Sequence, residues 1–181
     1  MITPTLETER IILRPLKISD AEDIFKSWVS DPEVTKYARW NTHQSVDDTI
    51  GWLSSMEQSI ADDRSYDWGL ILKETGEIFG SAGIFYNDEC NMFEIGYVIM
   101  KKYWNKGLAT EAAKAMVDFA VKELKLSMLY ARHAKENIAS GKVMEKLGFV
   151  YRDDGEYSSF DGTRTFQSKN YILTADTDGY A

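Results

Sequence analysis

Glu94 lies inside an alternating apolar run, Phe93-Glu94-Ile95-Gly96-Tyr97-Val98-Ile99, which has the pattern of a strand. A carboxyl buried there has a raised pKa and can take a proton from an ammonium group. On a strand it shares a face with Gly96 and Val98. A solvent-facing strand glutamate gives the same pattern. The next residues, Asn105-Lys106-Gly107-Leu108-Ala109-Thr110, place two small side chains where a loop opens a helix. The first N–H groups of a helix have no intrahelical partner, and with the helix dipole they favour an anion, typically a phosphate. Gly107 and Ala109 let that anion approach the backbone. An ordinary strand-to-helix connection fits the same residues. There is no G-x-G-x-x-G, and Lys106-Gly107 does not continue as a Walker sequence. A third cluster, Asn137-Ile138-Ala139-Ser140 followed by Glu145-Lys146-Leu147-Gly148-Phe149, offers a hydroxyl and an amide, and equally suits a helix N-cap and a terminating glycine.

Elements must carry these groups to one place. Leu6–Leu16 has the composition of a first strand ending near Pro15. Ser19-Asp20-Ala21-Glu22 has capping-box form ahead of Ile24, Phe25 and Trp28, and Asp31-Pro32 ends that helix. Residues 33–42 suggest a short helix and loop, with Tyr37 and Trp40 exposed or lining a groove. Ser45 caps a helix to about Ala61. Strands are predicted at 67–72, 78–86, 128–133, 149–157 and 165–173. Helices are predicted at 110–124 and 139–147, and a frayed tail from Thr174. Phe25, Trp28, Trp52 and Phe119 fall on apolar helix faces and are expected in the core. The predicted architecture is one α+β domain over residues 1–181, with its core in 6–173.

The loop spacing resembles the pyrophosphate loop of the GNAT N-acetyltransferase superfamily, (Gln/Arg)-x-x-Gly-x-(Gly/Ala), with Trp104 in the Gln/Arg position and Gly107 and Ala109 in the small ones. The run Trp104 to Ala112 looks like the RimJ/RimL-like branch. So does Thr8-Glu9-Arg10, the strand, Arg14-Pro15-Leu16 and Asp31-Pro32-Glu33-Val34. Asn137-x-x-Ser140 with Glu145-Lys146-x-Gly148-Phe149 is similar to a further superfamily segment. The resemblance covers Leu6 to Leu173. It implies a central, mostly antiparallel mixed sheet of about seven strands, splayed near Val98. It implies acetyl-CoA as co-substrate. Backbone N–H groups at Tyr97, Val98, Ile99 and Met100 would meet the pantetheine. Asn105, Lys106, Gly107, Leu108, Ala109 and Thr110 would hold the pyrophosphate, and Asn137 and Ser140 would flank the arm. Glu94 would take the amine proton. Many members have a Tyr where this chain has Met144, which has no proton to give; Ser140 is then the candidate donor to the thiolate. Tyr37, Trp40, Glu94 and His133 would meet the acceptor, which would enter beside the N-terminal helices and the turn at Asp161.

The chain has 181 residues, 44% hydrophobic and 13% aromatic, enough for a proper core. No apolar run approaches the ~18 residues of a membrane span, and Met1 to Glu9 has no leader pattern. One cysteine excludes an internal disulfide framework and points to the cytoplasm. Cys90 lacks a neighbouring base, and the two histidines show no metal-ligand spacing, so no metal is expected. A net charge of −8 argues against nucleic-acid binding and is compatible with an amine substrate. The reaction expected is direct acetyl transfer to a primary amine, on a protein N-terminus or a small molecule, by a monomer or homodimer. The alternative is a catalytically weak module that senses CoA.

Overall fold

The computed structural model describes residues 1–175. Eight strands form one sheet in the order β1-β2-β3-β4-β5-β6-β8-β7: β1 Leu6–Glu7, β2 Ile11–Arg14, β3 Ser65–Leu72, β4 Ile78–Asn87, β5 Met92–Ile99, β6 Met128–Ala134, β7 Val150–Ser158 and β8 Thr165–Thr174. The extra strand arises because the first predicted strand breaks at residues 8–10. There the Thr8 hydroxyl and the Arg10 backbone N–H both donate to Glu111 instead of joining a ladder. Every neighbouring pair is antiparallel except β5 and β6. That parallel pair is joined by a crossover helix, α3, Leu108–Lys122.

Side-chain alternation sorts the sheet into two faces. Trp68 and Leu70 on β3, Ile84 on β4 and Ile95 on β5 pack with Ala112, Ala113, Met116 and Ala120 of α3 in the larger core. The opposite face meets α1 (Ala21–Ile24), continued by a wider turn through Val29, and α2 (Val46–Ser59). Trp28, Ile24 and Leu53 pack there on Ile71 and Ile78. A last helix, α4 (Ile138–Lys146), follows β6.

Several local expectations change. The capping box expected at Ser19 does not form: Asp20 holds the N-cap position of the first helix without a capping bond to it, and its carboxylate accepts instead from the Lys17 backbone N–H at 2.8 Å and from two guanidinium nitrogens of Arg14, at 2.8 and 3.0 Å. Residues 33–42 form turns without a helix. The helix expected from Thr110 begins two residues earlier, at Leu108, because Gly107 adopts φ +76° and serves as its N-cap. Ser45 caps α2 with Asp48 in a reciprocal box, as the sequence pattern requires. Thr174 ends β8 rather than opening a tail; the rest of the predicted tail, 176–181, lies outside the described residues.

Candidate active site

The parallel strands β5 and β6 meet through one register pair, Glu94 with Tyr130, and then diverge. The slot so opened is the centre of the site. Antiparallel strands turn alternate residues toward each neighbour. Met100 donates its N–H to Phe79 at 2.7 Å, on the β4 side, and the Val98 carbonyl crowds Gly80. So Tyr97 and Ile99 face the slot with their backbone, whereas Val98 and Met100 do not, contrary to the expectation that all four would offer N–H groups there. The Ile99 carbonyl is already taken by the indole N–H of Trp104 at 2.8 Å. That bond shows what a tryptophan does in the position: it ties the start of the loop to the end of β5.

The loop before α3 leaves a run of backbone N–H groups free. Asn105 at φ +59° and Gly107 at +76° turn the chain sharply. Among the described residues, the N–H groups of 105–110 have no backbone acceptor; the first to be bonded is that of Glu111, to Gly107 at 3.1 Å. They open onto the N-terminus of a 15-residue helix. Arg10, assigned no site role from the sequence, braces this loop: it donates to the Lys106 carbonyl at 3.0 Å and to Glu111 at 2.7 Å.

On the side of the slot facing α4, the Tyr97 phenol lies 3.0 Å from the Ser140 hydroxyl. Burial pushes the phenol pKa up to about 12. Asn137 is the N-cap of α4, its side-chain oxygen accepting from the Ser140 N–H at 3.4 Å. Met144 is buried and offers no proton.

On the other face of β5 lies Glu94, 5% exposed. The Asn87 amide donates to one oxygen at 2.6 Å and Arg132 Nε to the other at 3.1 Å. Burial raises the carboxyl pKa against the opposing pull of Arg132 and Asn87. Arg132, with its side chain 5% exposed, also donates to Glu89 at 3.0 Å and lies over the Tyr157 ring. Nothing in the pattern of β6 distinguishes an arginine that reaches a neighbouring strand's carboxylate from one that reaches water.

A groove of about 350 Å³ runs along this face. Tyr37, Trp40, Trp52 and Phe160 line it, so the first two stand where the sequence reading put them. Trp52, expected in the core, packs at its edge against Trp28, with centroids 5.9 Å apart, and also forms the groove wall, where it stacks on Trp40 at 6.4 Å. The β7–β8 hairpin straps the 36–41 loop over the groove. Tyr157 donates to the Tyr37 carbonyl at 2.8 Å, Arg164 to the Trp40 carbonyl at 2.8 Å, and Asn41 to Asp161 at 2.6 Å. His133, expected to meet the acceptor, borders the groove with most of its ring buried. Its ring packs beneath Gly141, one nitrogen 2.7 Å from the Ala134 carbonyl and the other 3.4 Å from the Tyr171 hydroxyl. Burial lowers its pKa, keeping it neutral. Cys90 is half-buried and its thiol pKa is raised by burial. No cluster of metal-ligating side chains occurs among the described residues.

A parallel pair that separates, a helix start with free backbone N–H groups beside it and a buried carboxylate on the other face of β5 thus meet at one slot. Residues 10–150 match the model of the acetyltransferase (GNAT) domain, and the chain belongs to that family. It is therefore an acetyltransferase. It is 33% identical over 146 residues to the uncharacterized N-acetyltransferase p20 of Bacillus licheniformis, covering 80% of this chain and 82% of the relative. A GNAT-family acetyltransferase from Bacillus anthracis superposes with a TM-score of 0.79 at 25% identity, over 94% of this chain and 98% of that one. The ribosomal-protein-S5-alanine acetyltransferase from Vibrio fischeri shares the fold, with a TM-score of 0.75 at 19% identity over 96% and 97% of the two chains.

Proposed function

We propose that this enzyme transfers acetyl from acetyl-CoA directly to a primary amine, with both substrates bound together. One observation carries the reading: β5 separates from β6 immediately after Glu94, so a slot open to backbone donors adjoins a buried carboxylate. The N–H groups of residues 105–110 hold the pyrophosphate, and those of Tyr97 and Ile99 hold the pantetheine arm. The arm thus lies between the Tyr97–Ser140 pair on one side and Glu94 on the other.

An alkyl ammonium has no lone pair and must lose a proton before attack. Glu94 receives that proton, directly or through water; burial gives its carboxyl the necessary basicity. Ser140 donates its proton to the leaving thiolate as the Tyr97 phenol passes its own proton to Ser140, and Tyr97, which is protonated at neutral pH, regains a proton from solvent once CoA has left. Tyr97 thus stands in, from β5, for the tyrosine that Met144 replaces on α4. The loop from Trp104 to Ala112 and the likeness to a ribosomal-protein acetyltransferase support a place near the RimJ/RimL-like branch. The test is release of free thiol from acetyl-CoA across a panel of amines. Amine-dependent release supports the reading; tight CoA binding with no release for any amine would mark a sensor instead.

A further inference from the structure

Asp67 is a half-buried carboxyl that acetyl transfer as described does not use. It lines the same groove as Glu94 and on the same face of the sheet: Asp67 pairs with Gly83 across β3 and β4, Gly83 pairs with Gly96 across β4 and β5, and Glu94 is two residues along from Gly96. Its Oδ2 accepts from the Ser65 hydroxyl at 2.7 Å. Its Oδ1 has no hydrogen-bond partner among the described residues and lies across Gly83, 2.6 Å from where a Cβ would stand. Burial is the main influence on its pKa, which is raised, and the Ser65 hydroxyl is the only opposing one. No ion pair reaches it among the described residues, in contrast to Glu94, which Arg132 faces. A carboxylate withdrawn from water without a counter-charge is destabilising for the fold. Here one oxygen is oriented by a hydroxyl and the other is left open to the groove.

We propose that Asp67 binds a second positive charge on the acceptor, so that the substrate is a small amine carrying another ammonium group. This rests on the acetyl-transfer reading, in which the first amine meets Glu94. Strand spacing and rise put the two Cα atoms roughly 12 Å apart. With both carboxyls reaching over a floor of two glycines, the remaining gap suits a chain of a few carbons. Trp40, Trp52 and Phe85 line the groove and supply apolar and cation-attracting surface for it.

The experiment compares pentylamine with the diamine of the same length, on wild type and Asp67→Asn. It measures binding to the CoA-saturated protein by calorimetry, and kcat and KM by thiol release. A charge-assisted hydrogen bond corresponds to roughly a 10–100-fold change in affinity. Asp67→Asn should raise Kd and KM for the diamine by that factor, leave its kcat nearly unchanged, and change pentylamine less than about twofold. Gly83→Ala, whose Cβ displaces the Asp67 carboxyl, should act in the same direction. Equal losses for both amines, no loss for either, or a fall in kcat for both would overturn the assignment; the last would make Asp67 a proton acceptor. Asp67-dependent diamine binding without thiol release for any amine would overturn acetyl transfer and leave this assignment standing.

Discussion

The two ends of the site are made of different material. In the reading proposed above, the phosphate-binding end is main chain: N–H groups of 105–110, shaped by positive φ at Asn105 and Gly107 and backed by the α3 dipole. The end proposed for the acceptor is side chain: Glu94 held by Asn87 and Arg132, Asp67 held by Ser65, and aromatic walls fixed by a hairpin far along the sequence. A backbone site tolerates many side chains provided the chain can turn, which explains how Trp104 sits in a Gln/Arg position and still serves. A side-chain site fixes a particular chemistry and can differ between relatives that share the fold.

If the difference is real, substitutions at the acceptor end should change turnover and leave CoA binding alone, and those at the loop should do the reverse. Glu94→Gln should lower kcat by about 10²–10⁴-fold near pH 7, with calorimetric CoA affinity unchanged. Gly107→Val should weaken CoA binding by about tenfold or more. Because φ is +76° there, it should also cost stability, about 1–2 kcal/mol for a left-handed residue, seen as a lower Tm. Binding must therefore be measured well below that temperature. Ser140→Ala should cost about tenfold in kcat, since a thiol with pKa near ~8.5 leaves tolerably unaided.

The smallest effect concerns stability. The Asp67 carboxyl binds its proton more tightly folded than unfolded, because burial raises its pKa. Its contribution therefore becomes less favourable as pH climbs from the usual carboxylate range through the raised value. Asp67→Asn should melt higher than wild type near pH 7, and the difference should vanish as pH falls through the usual carboxylate range, near ~4.

The backbone end was legible in the sequence because it is local. Gly107, Ala109 and the apolar period of α3 lie within one stretch, and the element order follows from period and turn residues. Glu94 was legible for the same reason, as a charge inside an apolar strand. What escaped depends on register between strands distant in sequence. Arg132 meets Glu94 only because β6 lies beside β5, and Asp67 faces the groove only because it sits in register with Gly83 and Gly96. Tyr97 was anticipated for its N–H, but its phenol matters through Ser140, 43 residues on. For His133 the same gap hid its partners: alternation along β6 turns its ring away from Arg132, toward Gly141 of α4.

The central claim is that Glu94 takes the amine proton, and the pH dependence of its removal tests this most directly. Thiol release would be followed for wild type and Glu94→Gln with one good acceptor from about pH 6 to about pH 9. If Glu94 is the base, the gap between the two enzymes narrows steadily as pH rises, because more of the amine arrives already deprotonated. A gap that stays constant across the range, or near-normal turnover of Glu94→Gln at neutral pH, would contradict it.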